Sequence, residues 1–121
     1  MCVGNTCRSQ MASAFARYYA GDRLAVDSAG SEPEKDINPT MIDAMMEKGI
    51  DMAFRSPKSI EDAARFGEPD LIVTMGCGDV CPMFPGIKTV AWDLPDPAGR
   101  SLDFMRKVRD EIEKRVKGII P

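Results

Sequence analysis

Cys2-Val3-Gly4-Asn5-Thr6-Cys7-Arg8-Ser9 opens the chain with a thiol and a guanidinium on one short loop that runs straight into a helical pattern. From Ser9 to Ala20 the apolar residues Met11, Ala14, Phe15 and Tyr18 recur at helical spacing, with Ser9 placed as N-cap and Gly21 as the stop. The loop therefore lies at a helix N-terminus, where unpaired N–H groups and the positive end of the helix dipole favour a bound anion. Gly4 lets the backbone approach a ligand, Asn5 tolerates a left-handed conformation, and the planar fork of Arg8 matches two oxygens of a tetrahedral oxyanion. The same field favours the nucleophilic thiolate of Cys2 over the thiol. The competing reading is a small buried cysteine beside an unrelated surface arginine.

Outward from this loop, strand and helix patterns alternate. Leu24–Ala29 reads as a strand. Asn38 caps a helix that has Pro39 at its first position, Ile42, Met45 and Met46 on one face, and Gly49 as its stop. Leu71–Met75 is a continuous apolar run, as in a strand buried on both faces, and Thr89–Trp92 is a short strand. A last helix starts near Ser101 and places Leu102, Met105, Val108, Ile112 and Val116 on one stripe. The alternation predicts an α/β fold, three layers with a small parallel sheet and right-handed crossovers, and a ligand at the carboxyl ends of the strands. Gly30–Asp36 and the proline-rich Cys81–Pro85 read as loops within one domain spanning residues 1–121. Trp92 and the methionines are expected to fill the core.

Composition narrows the function. A chain of 121 residues with 44% apolar content can bury enough surface to fold without disulfides or metal. No apolar run approaches the length of a membrane span, and no signal peptide is visible, so a reducing cytoplasmic setting is expected. There, four cysteines point to catalysis or metal binding rather than crosslinks. A net charge of −3, with basic and acidic residues interspersed, gives no support for nucleic-acid binding. A second pair of thiols, Cys77 and Cys81, sits in Gly-Cys-Gly-Asp-Val-Cys-Pro just after the apolar strand, on a loop that its glycines allow to move. Cys2, Cys7, Cys77 and Cys81 could alternatively form a tetrathiolate zinc site, although Arg8 would be superfluous beside a metal.

Cys2–Ala12, CVGNTCRSQMA, resembles the active-site loop of the low-molecular-weight protein tyrosine phosphatase superfamily, which includes the thioredoxin-coupled arsenate reductases. The resemblance extends to Ser28–Gly30, to DLIVTM at Asp70–Met75 and to DPAG at Asp96–Gly99, and so covers most of the chain. In that superfamily a hydrophobic first strand precedes the nucleophile, whereas only Met1 precedes Cys2. The resemblance thus implies a first strand absent from the chain, through a misplaced start or a fragment. A complete chain of this kind would leave neighbouring strands with unpaired edges.

The resemblance implies that Val3, Gly4, Asn5, Thr6, Cys7 and Arg8 bind the oxyanion, arsenate or a phosphate-like ion, and that Cys2 attacks it. Cys77 then attacks Cys2, Cys81 attacks Cys77, and the Cys77–Cys81 disulfide passes to thioredoxin or a low-molecular-weight thiol. The two later cysteines lie closer together here than in the best-known reductases of this kind. Cys7 is expected to be structural, with its side chain facing away from the anion. Asp96, fixed by Pro97, is the expected general acid, with Asp93 as the alternative in the same loop and a plain turn-initiating role as the bland one. Ala98-Gly99 stand where phosphatases of the superfamily carry aromatic residues, which suits a small inorganic anion. Ser9 is expected to bond the Cys2 thiolate, Asn5 to hold the loop's shape and Ser28 to brace it. Some relatives bind potassium beside the loop through two acidic residues; Ser13 and Lys58 stand in those places, so the Lys58 ammonium is expected to replace the ion and no metal or cofactor is implied. Arsenate reduction is the leading reading. Phosphatase action on aryl phosphates through a phosphocysteine and a zinc-stabilised interaction module are the alternatives.

Overall fold

The structure, a computed structural model, describes residues 1–2, 4–65, 67–76 and 85–120. Along the chain run α1 (Arg8–Ala20), α2 (Pro39–Met46), α3 (Ile60–Ala64), β1 (Leu71–Thr74), β2 (Lys88–Ala91) and α4 (Leu102–Ile119). β1 and β2 pair in parallel, from Leu71 opposite Lys88 to Thr74 opposite Ala91. On the other side of β1, the Met1 nitrogen donates to the Val73 carbonyl at 2.7 Å, and the Met75 N–H donates to the Met1 carbonyl at 2.7 Å. The Cys2 N–H donates to Ala29 and the Ser31 N–H donates to Cys2, while Gly30 is bridged in turn to Ser59. Ser59, Gly30, Met1–Cys2, β1 and β2 therefore follow one another across a parallel layer. This is the α/β architecture with a small parallel sheet read from the sequence.

Two expectations about this layer are corrected, the strand at Leu24–Ala29 and the burial of β1 on both faces. Met1 and Cys2 stand where the resemblance puts the first strand, bonded to Val73 and Met75 on one side and to Ala29 and Ser31 on the other, and they form a bridge there rather than a strand. Leu24–Ala29 is not a strand, because the Arg17 guanidinium takes the Val26 carbonyl, with donor distances of 3.2 and 2.6 Å, and regular pairing is confined to the bridge at Gly30. Nor is β1 buried on both faces: Ile72 is buried, but Leu71 is 37% exposed.

The helices begin where side chains satisfy their first N–H groups. Asn38 Oδ1 accepts from Thr40 and Met41, with Pro39 at the first helical position as expected. Ser101 Oγ accepts from Phe104 to start α4. Helix α3 was not read from the sequence, although Ser59 and Asp62 spell its capping signature; Ser59 Oγ accepts from the Asp62 N–H at 3.1 Å. The inward face of α2 is Met41, Ala44 and Met45, whereas Met46, expected inside, is exposed. Helix α4 buries Met105, Val108, Ile112 and Val116 and packs on both α1 and α2. Phe15, Met11, Met41, Met45, Met52 and Met105 are fully buried, each apolar side chain of this size contributing about 1.5–3 kcal/mol. Tyr18, expected on the inward stripe of α1, is instead exposed.

One ionic clamp ties α2 to α4. Buried Arg109 donates to the Ala44 carbonyl at 2.8 Å and to Glu47 at 2.7 Å, so the C-terminal end of α2 is capped from α4. Arg106 adds further bonds to Glu47. Hydrogen bonds from Arg106 and then Arg109 pull the Glu47 carboxyl from its ordinary 4.5 down to about 2. A carboxylate whose folded value is depressed stabilises the fold above its unfolded value, and that contribution disappears as pH falls through the folded one. Glu47→Gln is therefore expected to lower the melting temperature at pH 7, with the gap from the wild type closing as pH falls from 4.5 towards 2; a gap independent of pH would contradict the clamp.

Candidate active site

After Cys2 the chain turns into a loop that joins the parallel layer to α1. Asn5 adopts φ 56°, the one positive φ outside glycine among the described residues, a conformation that disfavours a side chain by roughly 1–2 kcal/mol. Donors from outside the loop hold it. The Gly4 carbonyl accepts from the Glu34 N–H at 3.1 Å and the Thr6 carbonyl from the Asn38 N–H at 3.1 Å. The Asn5 carbonyl accepts from Gln10 Nε2 at 3.1 Å. In a trans peptide the next N–H points opposite to the carbonyl, so these outward bonds turn the N–H groups of Asn5, Thr6 and Cys7 away from those donors. The Asn5 N–H accordingly meets Cys2 Sγ at 3.3 Å.

Cys2 is buried, and its sulfur lies 2.8 Å from Ser9 Oγ. Ser9 is not the N-cap expected from the sequence. Cys7 takes that position without a side-chain cap, and Ser9, one residue into the helix, is turned to Cys2 instead. Every residue from Arg8 to Phe15 is buried, so the polar side chains of this stretch must find partners inside. Arg8 donates to the Leu94 carbonyl at 3.0 Å and lies 4.0 Å from Asp96 Oδ2. Its guanidinium rests against Gly76, which has φ 80°; a Cβ there would overlap Arg8 Nη1. Burial pushes the Cys7 thiol up to about 11, so Cys7 stays protonated at neutral pH and does not compete as a nucleophile.

Cys2, Gly4, Thr6, Cys7, Arg8, Gly76, Asp96 and Ala98 line a cavity of about 460 Å³. Asp96 is exposed at its mouth, and its Oδ1 also accepts from the Ala98 N–H at 3.0 Å, so it both shapes a turn and faces the cavity. Asp93, the alternative acid, is exposed and does not line the cavity. Two carboxylates absent from the sequence reading, Glu32 and Glu34, stand at the rim. Glu34 packs close over Gly4, its Oε2 3.3 Å from where a Cβ would stand, a contact that a small shift of this exposed side chain would relieve. The acidic run around them was the available signal, but it reads equally well as a solvated loop.

Other expectations separate. Ser28 is buried on a second cavity, with Gln10 and Arg55, rather than on that of Cys2. Lys58 holds the loop through its backbone, its N–H donating to Asn5 Oδ1 at 3.0 Å, while its ammonium pairs with Asp27. The cation that meets Ser13 is Arg55, not Lys58: Arg55 Nη1 donates to Ser13 Oγ at 2.7 Å and to Gln10 Oε1 at 3.3 Å. Val3, Cys77 and Cys81 lie outside the described residues. Among the described residues, no group of three His, Cys, Asp or Glu side chains could hold a metal ion, and no helix is long and apolar enough to cross a membrane.

A sulfur met by a loop N–H and a guanidinium stand together at a helix N-terminus, with a carboxyl at the mouth of their shared cavity, on a small parallel α/β fold. The family model of low-molecular-weight phosphotyrosine protein phosphatase matches residues 1–120, and the chain belongs to that family. It is 44% identical over 121 residues to arsenate reductase 1 of Bacillus cereus, covering 97% of this chain and 88% of that protein. Among solved structures, an arsenate reductase in the phosphate binding state superposes with a TM-score of 0.84 at 34% identity, covering 98% of this chain and 92% of that one. A thioredoxin-dependent arsenate reductase of Corynebacterium glutamicum matches with a TM-score of 0.79 at 38% identity, over 98% of this chain and 56% of that one.

Gly76→Ala is expected to displace the Arg8 guanidinium and weaken phosphate binding at least about tenfold by calorimetry, roughly the worth of one charge-assisted bond. Unchanged affinity would show that Arg8 does not reach the anion from this position.

Proposed function

We infer that this chain is an arsenate reductase in which Cys2 is the nucleophile. The observation that carries the reading is the Cys2 sulfur, met by the Asn5 N–H and Ser9 Oγ in the cavity that Arg8 also lines, in a chain 44% identical to an arsenate reductase. The Cys2 thiolate attacks arsenic, Arg8 gathers the negative oxygens, and Asp96 gives a proton to the oxygen that leaves as water. Cys77 then attacks the Cys2 sulfur. The electron pair of the sulfur–arsenic bond stays on arsenic, which leaves as arsenite, and a Cys2–Cys77 disulfide remains. Cys81 attacks Cys77 to release Cys2, and a thioredoxin-type dithiol reduces the resulting Cys77–Cys81 disulfide. This cycle needs free thiols, so a reducing cytoplasm is the compartment it fits.

The relay separates reduction from hydrolysis. Cys2→Ser is expected to abolish arsenate-dependent consumption of reductant, and Cys77→Ser or Cys81→Ser to lower multiple turnover by at least about a hundredfold, the scale of losing an essential group. The same Cys77 and Cys81 variants are expected to keep any hydrolysis of an aryl phosphate. Arsenate turnover indifferent to both later cysteines, with hydrolysis dependent on Cys2, would favour the phosphatase reading instead.

A further inference from the structure

Behind the active-site loop, a chain of hydrogen bonds runs from Arg55 to the Cys2 sulfur, and its direction is fixed by backbone atoms. Gln10 Nε2 lies 3.1 Å from the Asn5 carbonyl and 3.1 Å from the Ser56 carbonyl. Both are acceptors only, so this end of the Gln10 amide must be its NH2 group and the oxygen must face the other way. That oxygen accepts from Arg55 Nη1 at 3.3 Å. Asn5 is fixed by the same logic: the backbone N–H of Lys58 meets its Oδ1 at 3.0 Å, and Gln10 Nε2 meets the same oxygen at 3.0 Å. Asn5 Nδ2 must then point away from them, and it donates to Ser9 Oγ at 2.7 Å. A hydroxyl oxygen engaged as acceptor on that side turns its own proton elsewhere. The neighbour at 2.8 Å is Cys2 Sγ.

We propose that Arg55 is a positioning residue for the reaction, acting through Gln10 and Asn5 to polarise and hold in place the Ser9 hydroxyl that donates to the Cys2 sulfur. Every link is a donor facing an acceptor, from the guanidinium, which can only donate, to the sulfur, which receives. Successive links polarise one another in one direction, which favours negative charge at the sulfur end. Arg55 is half-buried, and its other partner at this site, Ser13 Oγ at 2.7 Å, anchors the guanidinium from the same helix that carries Gln10. Without the guanidinium, Gln10 Oε1 would lose the donor that faces it, and the amide would be held at its NH2 end alone and lose the polarisation that the cation supplies. This inference deepens the reading of Cys2 as nucleophile proposed above.

The test reads the thiol itself, not arsenate turnover, so that the two readings fail separately. Alkylation of Cys2 by iodoacetamide, a small neutral reagent, is followed by peptide mass spectrometry at pH 7 in the wild type, Arg55→Met and Arg55→Lys, alongside the dissociation constant for inorganic phosphate. Arg55→Met is expected to slow alkylation severalfold while phosphate affinity stays within about twofold, because a severalfold rate change is about the worth of one hydrogen bond. Arg55→Lys, which keeps a donor, is expected to restore most of the rate. Alkylation unchanged in Arg55→Met, a parallel loss of alkylation and phosphate binding, or failure of lysine to rescue would overturn the proposal. Should Arg55→Met not fold, Arg55→Gln, too short to reach Gln10, carries the same expectations.

Discussion

The left-handed turn at Asn5 is the constraint on which the site depends. One residue in a disfavoured conformation sends its N–H to the Cys2 sulfur, its side-chain amide to Ser9, and its carbonyl and side-chain oxygen to Gln10. No single bond of this set outweighs the backbone cost by much, since each is worth about 1 kcal/mol net, but together they over-determine the turn. The strain is thereby stored where the loop meets the Cys2 sulfur, and the neighbouring elements hold it from three sides through Glu34, Asn38 and Lys58.

The fold serves that loop. The parallel layer brings Met1–Cys2 between β1 and the bridge at Gly30, so Cys2 sits at the carboxyl end of a strand position, just ahead of a helix N-terminus. Gly76, which follows β1, and Asp96, which follows β2, close the same cavity from the neighbouring strands. Helix α4 lies against α1 and α2 and buries its apolar stripe there. Burial of Ser9, Gln10 and Ser13 is what makes their hydrogen bonds directional and forces each to find a partner.

Much of this was legible in the residues, and the rest failed for identifiable reasons. The cysteine, asparagine and arginine of the loop carry local chemistry, so their spacing alone announced a loop at a helix N-terminus with a left-handed Asn5. The caps at Asn38 and Ser101 were equally local. Leu24–Ala29 has the composition of a strand, but a strand needs a ladder partner, and Arg17 from the preceding helix took the Val26 carbonyl instead. Ser9 looked like a cap because serine often is one; only the fold shows its hydroxyl engaged by the Cys2 sulfur and the Asn5 side-chain amide. Glu32, Glu34 and Arg55 were missed because nothing in sequence links residues more than twenty positions away to a loop at the start of the chain. Lys58 was assigned the cation's place on resemblance, and Arg55 is the residue whose guanidinium meets Ser13.

The central claim is that backbone amides from Gly4 to Ser9, together with the Arg8 side chain, form one cradle for a tetrahedral anion over the Cys2 sulfur. A titration of the isotope-labelled protein with inorganic phosphate, followed by proton–nitrogen correlation spectra, tests it most directly. Saturable movement concentrated in the amides of residues 4–9 and the Arg8 side-chain signal is the expected result. Binding that moves other regions and leaves those signals in place would contradict it.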